Sequence, residues 1–226
     1  MAITLDTIVP WGRSYAEYVA MFNLTEADLT SRILGCADGP AAFNAVMTQQ
    51  GNSVISVDPL YNFSAAEIRS RIAETYDVIL EQVRQSQADY VWQAIASVEA
   101  LGQTRMQAME TFLTDYETGT TTGRYQAESL PNLPFTPRQF DLALVSHFLF
   151  LYSEHLSYEF HVRSLQTLLH VAQEVRIFPL LTLASTLSPY ITAIQEHFTQ
   201  AGHTVEIEPV QYEQDLRIDK FNKTII

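Results

Sequence analysis

The stretch from residue 31 to residue 59, SRILGCADGPAAFNAVMTQQGNSVISVDP, constrains the fold more than any other part of the chain. Ser31 to Cys36 is a short apolar segment running into a turn of small residues. Phe43, Val46 and Met47 then mark a helical pattern, and the β-branched run Ser53 to Val57 ends at Asp58-Pro59. Short apolar runs bounded by turn residues suit buried strands, and apolar positions three and four apart suit a helix face. Strand, turn, helix and strand make a βαβ unit, which puts both strands in one parallel sheet beneath a helical layer.

The remaining pattern extends that unit. After Pro10, residues Tyr15, Tyr18, Val19 and Phe22 share a helical face, and Thr25 with acids at 26 and 28 caps a second turn, so helices are expected within 11–30. Ser64-Ala-Ala-Glu67 is a capping box followed by Ile68, Ile72, Tyr76, Ile79 and Val83 at helical spacing. A further helical stretch, Val98 to Tyr116, precedes the next strand candidate at Tyr125. A crossover needs only about a dozen residues, so 64–120 is expected to be a helical insertion placed to cover a site. From Phe140 the order is strand (FDLALVSH), helix (Leu165 to Glu174), strand (VRIFPLLTL), helix (Ile191 to Gln200) and two strands (TVEIEPVQY, NKTII) with no helix between them. The expectation is a three-layer α/β fold whose seven-stranded, mostly parallel sheet has an antiparallel terminal strand. With 226 residues, against roughly 150 per domain and up to 250 for α/β domains, residues 1–226 are expected to form one domain.

Charge and cysteine content exclude several classes. Lys plus Arg is 13 against Asp plus Glu at 26, giving −13, which opposes a phosphate backbone, so no nucleic-acid partner is expected. Cys36 is the sole thiol, which rules out an intrachain disulfide. His155, His161 and His170 are six and nine apart and do not share a helical face as paired ligands would, so no metal is expected. The start MAITLDTIVPWGR lacks a basic region before a long apolar one, and no apolar stretch reaches the roughly 20 residues of a membrane span, so a cytoplasmic protein without membrane contact is expected.

Small residues after a strand let the backbone approach a ligand, and Asp58 closes the next strand 58 − 35 = 23 positions after Gly35, where an acid can accept both hydroxyls of a ribose. This is a nucleoside-binding layout. The dinucleotide form requires G-x-G-x-x-G, and Gly35, Ala37 and Pro40 stand in those places, a poor fit to NAD. The segment resembles motif I of class I S-adenosylmethionine (SAM)-dependent methyltransferases, acidic-x-Gly-x-Gly-x-Gly with an acid at the end of strand 2. In that register Gly35 holds the acidic position, Ala37 the first glycine, Gly39 the second and Ala41 the third, with Asp38 as the substitute carboxylate. Residues 129–135 (SLPNLPF) followed by FDLALVSH are similar to the same family's run from strand 3 into strand 4. Ser129 then takes the usual acidic place, Glu128 is the nearest acid, and Leu130 supplies the backbone amide for adenine.

The resemblance covers about 31–226 and implies a Rossmann-like methyltransferase with SAM as cofactor. It puts Asp58, with Pro59 and Leu60, at the ribose and the Gly35 to Gly39 turn at the methionine moiety. An N-terminal helix with Trp11, Arg13 and Tyr15 closes the site, with Arg13 pairing the methionine carboxylate. The plain alternatives are a solvated Arg13 on an ordinary amphipathic helix, and an Asp58 that only caps the loop to Tyr61. As a ribose ligand, Asp58 is expected to be solvated when no ligand is bound.

His147 ends strand 4 near the methyl donor, where it serves as a general base if the acceptor must lose a proton, or else hydrogen-bonds locally and shapes the pocket. Ser146 caps or contacts the cofactor, since no Ser-His-acid order accompanies it. Phe148, Phe150 and Tyr152 alternate as core positions of a strand would. SHFL stands where nucleic-acid amino-methylating enzymes carry Asn/Asp-Pro-Pro-aromatic, which together with the charge points to a small-molecule or protein acceptor. The competing function is a non-catalytic SAM- or nucleoside-binding protein that has lost methyl transfer. A nicotinamide oxidoreductase is a weaker third.

Overall fold

A computed structural model describes residues 9–89, 92, 95–210 and 212, together with the backbone of 223–225. Strands β1 (Arg32–Cys36), β2 (Ser53–Val57), β3 (Tyr125–Gln126), β4 (Phe140–Ser146), β5 (Ala172–Phe178), β6 (Glu206–Glu208) and β7 (Lys223–Ile225) form one sheet in the order β3-β2-β1-β4-β5-β7-β6. The first five are parallel, while β7 runs antiparallel to both β5 and β6. β1 and β4 pair Gly35 with Leu144 and Cys36 with Val145. The chain winds outward in both directions from that pair, leaving a crevice at the carboxyl ends where such sheets bind ligands.

Strand alternation sorts the core into two layers. Leu34, Cys36, Ala143, Val145, Val175 and Ile177 pack against α6 (Tyr158–Val171) and α7 (Ile191–Gln200). Their neighbours Ile33, Leu142 and Leu144 pack against α1 (Tyr15–Met21) and α3 (Phe43–Gln49). A short helix, α2 (Glu26–Leu29), follows α1, and both start with the capping boxes that Ser14-Glu17 and Thr25-Asp28 build. Between β2 and β3 lie α4 (Ala65–Gln85) and α5 (Val98–Thr121), so two long helices fill most of the stretch expected as an insertion.

Several boundaries differ from the sequence expectation. α6 starts at Tyr158, because Ser157 caps it by accepting from the Phe160 N–H, and it ends at Val171, so Gln173 and Glu174 belong to β5. β5 stops before Pro179, and β6 stops before Pro209, which has no N–H to give a ladder. Phe148, Phe150 and Tyr152 are not in a strand: β4 ends at Ser146, and Phe150–Tyr152 is a 3-10 turn.

Candidate functional site

A cavity of about 750 Å³ opens at the carboxyl edge of β1, β2 and β4, within the size range of small-molecule sites. Four of the five parallel strands, β1 to β4, send residues at or after their carboxyl ends into it. Ala37, Asp38 and Gly39 come from the turn after β1, and Asp58, Pro59 and Leu60 from the turn after β2. Glu128, Ser129 and Leu130 follow β3, and Ser146 and His147 end β4. Arg13 comes from the strap before α1. Two candidates do not line the cavity. Tyr15 stacks on Phe43 at 5.8 Å, turning its ring toward α3, and Gly35 lies buried within β1.

The turn after β1 has an unusual backbone. Ala37 at φ +57° and Gly39 at +52° both occupy the left-handed region, which costs a non-glycine residue of order 1–3 kcal/mol. The Ala37 N–H donates to the Val57 carbonyl (2.9 Å), and the Gly39 N–H donates to Asp58 Oδ2 (2.9 Å), tying the turn to the end of β2. Tyr61 reinforces it by donating its hydroxyl to the Gly39 carbonyl (2.8 Å).

Asp58 is half-buried, and its Oδ1 accepts the Leu60 N–H at 2.8 Å. Burial raises its pKa while the two backbone donors lower it, and the net direction is upward. The expectation of a solvated carboxylate is therefore corrected: Asp58 caps the 3-10 turn Pro59–Asn62 while also facing the cavity. Each oxygen of an ionised carboxylate takes more than one donor, so both keep capacity for a ligand hydroxyl.

Asp38 is more deeply held. Only 7% exposed, it accepts from the Tyr18 hydroxyl (2.8 Å) and from Ser56 Oγ (2.6 Å). Burial, augmented by the charge of Asp58, pushes its pKa to about 6 against those two hydrogen bonds. Its carboxylate fills the space a side chain at position 35 would need: a Cβ on Gly35 would fall 1.9 Å from Asp38 Oδ2. The glycine in β1 and the acid three residues later thus form one arrangement, with the acid folded back over the strand.

His147 has φ +50°, and its N–H donates to the Phe178 carbonyl (2.7 Å). Its Nδ1 shares a hydrogen bond with Ser146 Oγ (3.0 Å), so the local bonding role is present. Burial lowers its pKa well below the usual imidazole value, and the guanidinium charges of Arg13 and Arg105 lower it further. Both effects disfavour the protonated imidazole.

The strap before α1 closes the other side. The Arg13 carbonyl accepts the Ala42 N–H (2.9 Å), and Gly12 sits so close to the turn that a Cβ would meet the Pro40 oxygen at 2.1 Å. Glu17 of α1 pairs with Arg105 of α5 at 2.5 Å, both buried, and accepts from Tyr212 at 2.6 Å. The positive charges of Arg105 and Arg13 overcome the effect of burial and hold the Glu17 carboxyl at about 2. This pair ties the insertion to the first helix.

Of the histidines raised as ligands, His161 is buried between the Ser157 and Leu149 carbonyls (2.8 and 3.0 Å), a packed position. Among the described residues no group of three or more His, Cys, Asp or Glu side chains is arranged to hold a metal, and no helix is long and apolar enough to cross a membrane.

Sequence reasoning missed much of the cavity. Phe148, Leu151, Tyr152, Leu156 and Phe160 line it, whereas Phe150 is core. The available signal was their spacing of three, one, four and four, the period of one helical face. Trp11, expected beside Arg13, lines it as well, and so do Val9 and Pro10 of the strap and Ile79 and Gln82 of α4, which no local signal marks.

Over 212 residues the chain is 32% identical to the uncharacterized protein MJ0045 of Methanocaldococcus jannaschii, the match spanning 93% of each chain. The chain belongs to the family of that archaeal protein. No protein-family model matches it. Among solved structures, it is similar to WbdD in complex with the kinase inhibitor LY294002 (10% identity, TM-score 0.49), covering 94% of this chain and 40% of that one. It is also similar to magnesium protoporphyrin IX methyltransferase from Synechocystis PCC 6803 with bound SAM, at 9% identity and TM-score 0.47, covering 93% and 77%. A third is a SAM-dependent methyltransferase from Aquifex aeolicus, at 12% identity and TM-score 0.44, covering 94% and 89%.

Proposed function

We propose that the chain is a SAM-dependent methyltransferase acting on a small-molecule or protein acceptor. The observation that carries this reading is the left-handed turn at Ala37 and Gly39, bonded through the Gly39 N–H to Asp58 at the end of β2. Ala37 keeps the backbone conformation that favours glycine at the place where the resembling motif has its first glycine. The donor set suits SAM: Asp58 for the ribose hydroxyls, Glu128, Ser129 and the Leu130 backbone for the adenine, and Arg13 for the methionine carboxylate. Bound there, SAM would supply an electrophilic methyl group on a sulfonium. His147, held by Ser146 at the end of β4, would orient an acceptor and stands where a general base is needed if that acceptor must lose a proton.

A second reading, SAM or nucleoside binding without transfer, is favoured by Asp38, whose carboxylate is engaged by Tyr18 and Ser56. Calorimetry with SAM and S-adenosylhomocysteine tests the cofactor assignment, and binding of neither at millimolar concentration overturns both SAM readings. Asp58→Ala is expected to weaken binding roughly tenfold to a hundredfold, since a hydrogen bond to a charged group contributes about 1.5–3 kcal/mol and tenfold is about 1.4. The same variant should melt lower, because the Gly39 and Leu60 N–H groups lose their acceptor. Lower melting with unchanged affinity would leave Asp58 a cap alone.

A further inference from the structure

The cavity is unevenly furnished. Its acidic side chains, Asp38, Asp58 and Glu128, all follow β1, β2 or β3. After β4 the chain from 148 to 160 contributes Phe148, Leu151, Tyr152, Leu156 and Phe160, all apolar or aromatic. Glu154, His155 and Glu159 lie in the same segment, yet none of them lines the cavity. Apart from the Tyr152 hydroxyl, the side chains this segment turns inward are hydrocarbon and offer no partner to a buried charge, and an unpaired charge is costly to bury.

A second observation agrees. Three of the five exposed large hydrophobic side chains among the described residues lie at or beside this cavity. Val9 (60% exposed) and Tyr152 (37%) line it, and Leu183 (56%) is tethered beside it by its N–H to the Leu151 carbonyl at 3.1 Å. Exposed apolar side chains at the rim of an apolar-lined cavity are the surroundings that binding sites favour.

We infer that the β4 side of the cavity binds a small, uncharged, apolar or aromatic molecule, and that this molecule is the methyl acceptor. The second half of the inference rests on the methyltransferase reading. In the transfer, a lone pair on the acceptor's nitrogen, oxygen or sulfur forms the bond to the methyl carbon as the carbon–sulfur bond of the sulfonium breaks, its electron pair staying on sulfur. A proton carried by that heteroatom leaves to water.

The test is a fluorescence titration with N-phenyl-1-naphthylamine, an uncharged aromatic probe, run beside calorimetry with S-adenosylhomocysteine. The wild-type protein should bind the probe saturably, and neutral naphthalenes should displace it at least tenfold better than naphthalene carboxylates or sulfonates. Leu156→Glu, at a half-exposed position, should weaken probe binding at least tenfold while leaving the melting temperature and S-adenosylhomocysteine affinity unchanged. If that variant misfolds, Tyr152→Arg at the mouth serves the same comparison. Absence of saturable probe binding, equal displacement by charged naphthalenes, or unchanged probe affinity in a folded variant overturns the inference. S-adenosylhomocysteine binding without probe binding would overturn it and leave the methyltransferase reading standing. Probe binding without S-adenosylhomocysteine binding would keep the apolar site and remove its role as acceptor site.

Discussion

The two walls of the cavity are built on opposite principles. On the β1–β2 wall the polar side chains are fixed by directional bonds: Asp38 to Tyr18 and Ser56, Asp58 to Gly39 and Leu60, and the Tyr61 hydroxyl to Gly39. On the β4 wall, beyond Ser146 and His147, the lining is five apolar or aromatic side chains, and their contacts include ring packings such as Phe148 on Tyr152 at 6.3 Å and on Phe160 at 6.2 Å. Directional bonds fix a geometry to fractions of an ångström, whereas apolar contact is non-directional and tolerates different shapes. A wall of the first kind suits one invariant ligand, and a wall of the second kind suits an acceptor recognised by its apolar character.

The comparison breaks first at Gly35. Gly35→Asp restores an acid to β1 but drives its Cβ into the carboxylate of Asp38. Overpacking alone costs about 1–3 kcal/mol, and a second buried carboxylate adds to it, so a total loss above about 3 kcal/mol is expected. The double variant Gly35→Asp, Asp38→Gly should recover more than half of that loss in denaturant midpoints. A stable single variant would show that the two positions are independent.

Asp38 itself gives the next largest effect. Its folded pKa of about 6 lies above the ordinary aspartate value of 3.8, so folding favours the protonated form. That contribution to stability is fully present below pH 3.8 and is lost as pH rises through about 6. Relative to Asp38→Asn, wild type should lose on the order of 1–3 kcal/mol between pH 4 and pH 7, since each pKa unit is about 1.4 kcal/mol. Parallel urea curves for the two proteins would reject the rigid, desolvated picture of this wall.

The apolar wall should respond least. Phe148→Ala trims a half-buried ring beside space that already exists, so about 1 kcal/mol or less of stability is expected, well under the roughly 3–5 for a fully buried phenylalanine. A loss as large as the core value, measured by thermal unfolding, would make Phe148 a core residue and not an adaptable surface of the cavity.

Much of this was legible along the chain. The βαβ unit, the capped helices, and an acid closing β2 announce themselves because strand period, helix period and capping pattern are local properties of neighbouring residues. The order of those elements also placed most of the expected site residues at one sheet edge, since parallel strands all deliver their carboxyl ends there. Local pattern could not say that Asp38 would turn back over Gly35, because that depends on Tyr18 and Ser56, which reach it from α1 and β2. Nor could it decide the fate of Phe148, Phe150 and Tyr152. Their alternation matched a strand, but the chain leaves β4 at Ser146 and coils, so Phe150 enters the core while the other two turn to the cavity. Sequence determined which elements form and which strand ends meet, because each residue's own propensity and its near neighbours suffice for that. Only the tertiary structure decided which side chains line the cavity and which carboxylates are desolvated, because burial is set by residues far away in the chain.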